Sequence, residues 1–193
     1  AIPCKNEDLK IVVNSLKKMN CKGLNVTIPY KQKVFDICSQ ISPVAKKVQA
    51  INTLRLTDSK DWIGTNTDID GFIYPLKDLN LIKKSSLVLG SGGAARSVIQ
   101  GIIDLNLSKI TVISRTKDSL NELITNFKHD IEIEGLLNTN IKTDNIIQES
   151  DLIVNTTPVG MSNKTNDDEM PFGQTFWNSI NSKTIVYDLI YNP

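Results

Sequence analysis

Hydrophobic positions along the chain follow two spacings, and each spacing marks a kind of element. Leu9, Val12, Val13 and Leu16 recur at intervals of three and four, which predicts an amphipathic helix over 8–19. Gly23-Leu24-Asn25-Val26-Thr27-Ile28 carries β-branched residues and stops at Pro29, which cannot donate to a ladder, so a strand is expected over 23–28. A helix is expected over 31–41 and a strand over 50–56. Asp58-Ser59-Lys60-Asp61 reads as a turn that folds Trp62-Ile63-Gly64 back as a hairpin partner. Thr65-Asn66-Thr67-Asp68 then opens a loop or a helix cap. From Ser85 the pattern becomes a strand over 86–89, glycines, a helix over 94–105, a strand over 109–114 and a helix over 119–128. Strands over 131–136, 151–155 and 184–190 follow, and the polar stretch 162–169 is expected as a surface loop. Strands alternating with helices predict two α/β domains, at 1–70 and 71–193, built on mostly parallel sheet.

Composition narrows the possible functions. The 193 residues hold 22 Lys and Arg against 21 Asp and Glu, so a net charge of +1 supplies no field for nucleic acid or an anionic membrane. Residues 1–70 nevertheless carry 11 basic and 7 acidic side chains, which hints at two units with different ligands. No run approaches the roughly 18 apolar residues of a membrane span, and a cytoplasmic setting is expected. Cys4, Cys21 and Cys38 are odd in number and contain no Cys-x-x-Cys, which argues for reduced, partly buried thiols rather than disulfides or zinc. His129 lies in a polar bend, so neither a Ser-His-Asp triad nor a metal centre is expected. Trp62 and Trp177 are expected to serve packing, and Asp167-Asp168-Glu169 a solvated loop.

Leu87-Val88-Leu89-Gly90-Ser91-Gly92-Gly93-Ala94-Ala95 satisfies G-x-G-x-x-[GA] between a strand and a helix. Gly90 suits the tight turn, Gly92 lets backbone approach a pyrophosphate, and Ala95 allows helix and strand to pack closely. The anion would rest on helix N-terminal N–H groups. At the end of the next strand, where an NAD site places an acidic residue for the ribose 2′-OH, the chain reads Ser114-Arg115-Thr116. A carboxylate would repel a 2′-phosphate, whereas Arg115 can pair with it and the hydroxyls of Ser114 and Thr116 can donate, so NADP is the expected cofactor. The second domain is accordingly expected to be Rossmann-like and doubly wound.

Asn25-Val26-Thr27-Ile28-Pro29-Tyr30-Lys31, Ala50-Ile51-Asn52-Thr53 and Gly64-Thr65-Asn66-Thr67-Asp68 gather hydroxyls, amides, a Lys and an Asp at strand ends. A polyhydroxylated substrate needs such a set, because each buried hydroxyl must find a partner. Lys31 with Asp68 would form a charge pair able to move a proton to a carbonyl oxygen as hydride arrives. Blander readings stand beside this one: Lys31 as a surface lysine at a helix start, Asp68 as a helix N-cap.

These blocks resemble the shikimate dehydrogenase family. Lys22-Gly23-Leu24-Asn25-Val26-Thr27-Ile28-Pro29-Tyr30-Lys31 is similar to that family's K-G-x-N-V-T-[IV]-P-x-K. The Asn52, Asp68, Gly90 and Arg115 blocks, Asn155-Thr156-Thr157-Pro158-Val159-Gly160-Met161 and Tyr187-Asp188-Leu189-Ile190-Tyr191-Asn192-Pro193 follow in the family's order. The resemblance implies NADP-dependent interconversion of 3-dehydroshikimate and shikimate, a step toward chorismate and the aromatic amino acids. It implies Lys31 and Asp68 as the catalytic pair, with Thr27, Asn52 and Asp68 on ring hydroxyls and Tyr191 near the substrate. Gly90, Ser91, Gly92, Gly93 and Ala94 would hold the pyrophosphate, Ser114, Arg115 and Thr116 the adenosine phosphate, and Leu189 would lie beside the nicotinamide. Ser114 stands where the family most often has Asn.

The family's opening G-x-P-x-x-H-S-x-S-P motif and closing G-x-x-M-L-x-x-Q segment have no counterpart in these residues, so the chain is expected to be an internal portion of a longer enzyme. Two alternatives remain: a quinate/shikimate dehydrogenase using NAD, against which Arg115 argues, and a non-catalytic nucleotide-binding fragment. The partner is expected to be a small molecule, with no nucleic acid or membrane, and the protein a monomer or homodimer.

Overall fold

The computed structural model describes residues 1–138, 144–161 and 173–190, and the chain forms two compact units, Ala1–Gly71 and Phe72–Pro193. In the first unit the predicted amphipathic helix is α1 (Leu9–Lys18), which buries Val13. Val13 joins Val34, Ala45, Ile51, Leu54, Leu56 and Trp62 in one hydrophobic core. The Trp62 indole N–H donates to the Val13 carbonyl at 3.3 Å, giving the buried ring's one polar atom a partner. Strands β1 (Gly23–Asn25), β2 (Gln40–Ile41), β3 (Thr53–Leu56) and β4 (Trp62–Thr65) form a sheet in the order β1-β3-β4-β2. The predicted hairpin is β3–β4, antiparallel with Leu56 opposite Trp62, and α3 (Asp68–Ile73) follows it.

This sheet departs from the expected mostly parallel arrangement, since only β2 and β4 run parallel while β1–β3 and β3–β4 are antiparallel. The five residues between β3 and β4 can reverse a chain but cannot cross it over, so the hairpin forces the β3–β4 pairing to be antiparallel. The expected strand over 23–28 is shorter, because ladder pairing ends at Asn25, beside Thr53. The helix expected over 31–41 does not form. Residues 30–38 coil through short turns ending in a 3-10 turn, Phe35–Ile37, and Gln40–Ile41 pair with β4. Edge pairing outweighs helix propensity there: Ser39 N–H donates to the Trp62 carbonyl at 3.0 Å and Ser42 N–H to the Gly64 carbonyl at 2.9 Å, bracketing β2. Helix α2 (Pro43–Val48), not anticipated, begins on a Ser42 cap with Pro at its first turn.

The second unit is a five-stranded, all-parallel sheet of β5 (Ser85–Leu89), β6 (Lys109–Ser114), β7 (Glu132–Leu137), β8 (Leu152–Asn155) and β9 (Ile185–Asp188), ordered β7-β6-β5-β8-β9. Helices α4 (Gly93–Asp104), α5 (Lys117–Phe127), α6 (Asp144–Glu149) and α7 (Gly173–Asn178) complete it, the last two unforeseen. Consecutive residues Ser86 to Leu89 and Leu152 to Asn155 are all buried, the pattern of central strands covered on both faces. The expected loop at 162–169, including Asp167-Asp168-Glu169, lies outside the described residues.

The three cysteines are free and half-buried. Burial pushes the Cys38 thiol up to about 11, from an ordinary 9.0. Its thiolate is therefore scarce at neutral pH, and iodoacetamide at pH 8 is expected to label Cys38 more slowly than Cys4 or Cys21, read by peptide mass mapping. Labelling of Cys38 first would contradict this environment.

Candidate active site

Backbone pairing in the first unit draws three separated segments together. Ile51 N–H donates to the Lys31 carbonyl at 2.7 Å, Val26 N–H to the Asn52 carbonyl at 2.6 Å, and Asn52 N–H to the Thr65 carbonyl at 3.1 Å. With the main chain fixed, the side chains converge. Lys31 Nζ lies 2.7 Å from Asp68 Oδ2, and Asn52 Nδ2 donates to Asp68 Oδ1 at 2.6 Å and to Thr67 Oγ1 at 3.0 Å. Asn52 Oδ1 accepts from Thr67 N–H at 3.0 Å and from the Thr53 hydroxyl at 2.9 Å. Asn66 is buried and donates from Nδ2 to the Ala50 carbonyl, while its Oδ1 accepts from Asp68 N–H, both at 3.0 Å.

Neither blander alternative describes this geometry. Lys31 keeps only 17% of its side chain exposed and starts no helix, and Asp68 is the first residue of α3 with its carboxylate on Lys31 and Asn52. The pair is sheltered yet reachable, with 31% of the Asp68 side chain exposed. Thr27 stands exposed beyond β1; its carbonyl accepts from Tyr30 N–H at 2.9 Å and, among the described residues, its hydroxyl makes no hydrogen bond. Tyr191 lies outside the described residues. Sequence reasoning singled out Lys31, Asn52 and Asp68 but gave no role to Asn66, whose bond to Asp68 N–H sets the start of α3; the signal was an Asn two residues before a helix.

In the second unit the chain reverses its strand order between β5 and β8, the position where open α/β sheets bind ligands. The glycine turn leaves β5 there. Gly90 has φ +106°, and a Cβ on it would stand 2.7 Å from Thr156 Oγ1. Thr156 closes on the turn because its N–H and hydroxyl both donate to the Leu89 carbonyl, at 2.9 and 2.7 Å. Gly92 is exposed with open space where a Cβ would point, Gly93 begins α4, and Ala94 is half-buried behind it. Ser91 and Ser114 are buried, whereas Arg115 and Thr116 are exposed and, among the described residues, Arg115 makes no hydrogen bond or ion pair. Leu189 N–H donates to the Asn155 carbonyl at 3.1 Å, and Asn155 Nδ2 donates to Asp188 Oδ1 at 3.0 Å.

Arg96, in the turn-to-helix motif, is 1% exposed and pairs with Glu122 of α5 at 2.7 Å. Burial lowers its pKa, and the Glu122 carboxylate opposes that shift. It tethers α4 to α5, a role the sequence did not suggest. Among the described residues, no three His, Cys, Asp or Glu side chains converge as a metal site, and no helix is long and apolar enough to cross a membrane.

A parallel sheet of this order, with a glycine turn at its reversal point, belongs to the Rossmann class of dinucleotide-binding units. Comparison with known proteins is more specific. The family model of the shikimate dehydrogenase substrate binding domain matches residues 1–54. Shikimate dehydrogenase (NADP(+)) of Prochlorococcus marinus subsp. pastoris is 82% identical over 193 residues, covering 100% of this chain and 68% of that protein. The crystal structure of shikimate dehydrogenase from Aquifex aeolicus superposes with a TM-score of 0.83 at 30% identity, covering 97% of this chain and 65% of that one. Shikimate 5-dehydrogenase from Thermus thermophilus, in complex with NADP(H) and shikimate, gives a TM-score of 0.77 at 26% identity, with 98% and 66% covered. The chain belongs to the shikimate dehydrogenase family, and it spans about two thirds of the length of these relatives.

Gly90→Ala meets both an unfavourable φ and the Thr156 hydroxyl. The full-length protein carrying it is expected to lose nucleotide binding by tenfold or more and about 1–3 kcal/mol of stability, measured by calorimetric titration and urea unfolding. Wild-type values for both would contradict the turn described.

Proposed function

We propose that this chain carries the reactive centre and nucleotide site of a shikimate dehydrogenase, which interconverts 3-dehydroshikimate and shikimate with NADP. The observation that carries the reading is the Lys31–Asp68–Asn52 constellation, in a chain whose second unit holds a dinucleotide-type glycine turn. The residues fit the cofactor: Gly92 is exposed with open space where a Cβ would point, and Arg115, with no hydrogen bond or ion pair among the described residues, offers a cation where an NAD site would have a carboxylate. Gly90, Gly92, Gly93 and Ala94 would hold the pyrophosphate, Arg115 and Thr116 the 2′-phosphate, and Leu189 would border the nicotinamide. When bound, NADP supplies or takes the hydride.

The chain's own residues provide the proton chemistry. Reduction of a ketone places negative charge on its oxygen, and the Lys31 ammonium is the group suited to meet that charge and deliver a proton. Asp68 holds the ammonium in place and accepts from a neighbouring ring hydroxyl. Asn52 has already placed both amide hydrogens, on Thr67 Oγ1 and Asp68 Oδ1, so a substrate hydroxyl reaching it replaces one of these bonds. Thr27, whose hydroxyl makes no hydrogen bond among the described residues, and Tyr191 complete the proposed substrate contacts. Three free cysteines and a net charge of +1 support a cytoplasmic protein whose partner is a small molecule rather than nucleic acid.

Steady-state assay of the full-length protein with shikimate tests this reading. NADP is expected to be preferred over NAD, and Lys31→Ala to lower kcat by about a hundredfold or more while leaving NADP affinity near wild type. An unchanged rate in Lys31→Ala would remove Lys31 from the chemistry.

A further inference from the structure

Three serines, from the glycine turn, the end of β6 and the start of α5, meet beneath the proposed 2′-phosphate site. Ser91 of the glycine turn lies 2.7 Å, oxygen to oxygen, from Ser114 at the end of β6 and 2.7 Å from Ser119 in the first turns of α5. Ser114 Oγ accepts from Thr116 N–H at 3.3 Å and can donate to the Thr116 carbonyl at 3.4 Å, and the Ser119 hydroxyl can donate to that same carbonyl at 3.2 Å. Two assignments of protons satisfy both serine–serine bonds: Ser114 to Ser91, Ser91 to Ser119 and Ser119 to the Thr116 carbonyl, or the reverse circuit of Ser119 to Ser91, Ser91 to Ser114 and Ser114 to that carbonyl, with Thr116 N–H on Ser114 in both. The ring begins and ends on the backbone of Thr116.

Each hydroxyl has one proton, and in this ring all three are used. Ser91 and Ser114, 8% and 5% exposed, therefore have none to give a phosphate. The two exposed residues beside them, Arg115 and Thr116, do. We propose that Ser91, Ser114 and Ser119 are positioning residues for nucleotide specificity: their hydroxyl ring fixes the 114–116 turn so that Arg115 and Thr116 are presented to a 2′-phosphate. This assigns Ser91 and Ser114 a different task from direct contact with phosphate. Arg96 and Glu122, one turn further along α5 from Ser119, supply a second tether on the same helix. The proposal rests on the NADP reading above, and its effect falls on the 2′-phosphate rather than on the adenosine that NAD shares.

The test is calorimetric titration of adenosine 2′,5′-bisphosphate and adenosine 5′-monophosphate into the full-length protein. Ser119→Ala is expected to weaken the bisphosphate about fivefold and the monophosphate by less than about twofold, with Ser119→Thr restoring the wild-type value. Ser91→Ala combined with Ser119→Ala is expected to be little weaker than Ser91→Ala alone, because one break already opens the ring. Should Ser119→Ala lower the thermal midpoint by more than about 5 °C, Ser91→Ala becomes the deciding variant. Unchanged bisphosphate affinity in a folded variant, or equal weakening of both ligands, would overturn the ring's role while leaving NADP preference standing. A wild-type protein that fails to distinguish the two ligands would overturn the NADP reading and this proposal with it.

Discussion

The Asp68 carboxylate is the constraint around which the first unit is arranged. Each of its oxygens serves a different segment, Oδ2 taking the Lys31 ammonium at 2.7 Å and Oδ1 the Asn52 amide at 2.6 Å. Withdrawing a carboxylate and an ammonium from water is costly unless each has a partner in good geometry. The backbone bonds from Ile51 to Lys31 and from Asn52 to Thr65 provide that geometry, so the fold of the sheet and the presence of the charge pair depend on one another. An ammonium already oriented, and still open to a ligand, needs little rearrangement to meet an oxygen on which charge develops.

The second unit obeys a different constraint, the close approach of two loops at the reversal of strand order. Thr156 caps the Leu89 carbonyl and thereby occupies the space a side chain at position 90 would need. Asn155 extends the same edge: its Oδ1 accepts from the N–H and hydroxyl of Thr157, at 3.0 and 2.7 Å, while its Nδ2 reaches Asp188. Both loops leaving the sheet at this edge are thus pinned by short bonds to buried strand ends. A rigid rim of this kind suits recognition of a ligand's backbone by main-chain groups, with side chains needed only at the phosphate that distinguishes one cofactor from another.

Much of this was legible in the sequence where local pattern and tertiary demand agree. The run 86–89, the glycines and the following helix were read to within a residue or two, because a strand buried on both faces is apolar throughout and only glycine tolerates φ +106°. Lys31, Asn52 and Asp68 stood out as polar residues at strand ends. Residues 31–41 misled, since their apolar spacing suits a helix but the edge of β4 claims Gln40 and Ile41. For α2 the sequence carries a Ser42-Pro43 start signal but only six helical residues after it, and the six-residue α6 is likewise too short to show a period. The serine ring is not legible, because Ser91 lies 23 and 28 residues from Ser114 and Ser119 and nothing local marks it as their partner.

In the proposed reaction the Asp68 carboxylate holds Lys31 ready for proton transfer to the substrate oxygen. Asp68→Asn changes the charge with almost no change in volume, so single-turnover oxidation of shikimate by the full-length variant, with both NADP and shikimate saturating and the appearance of NADPH followed, separates that contribution from substrate affinity. The variant's rate is expected to fall by about a hundredfold or more, with NADP binding unaltered. A rate within about twofold of wild type would contradict it.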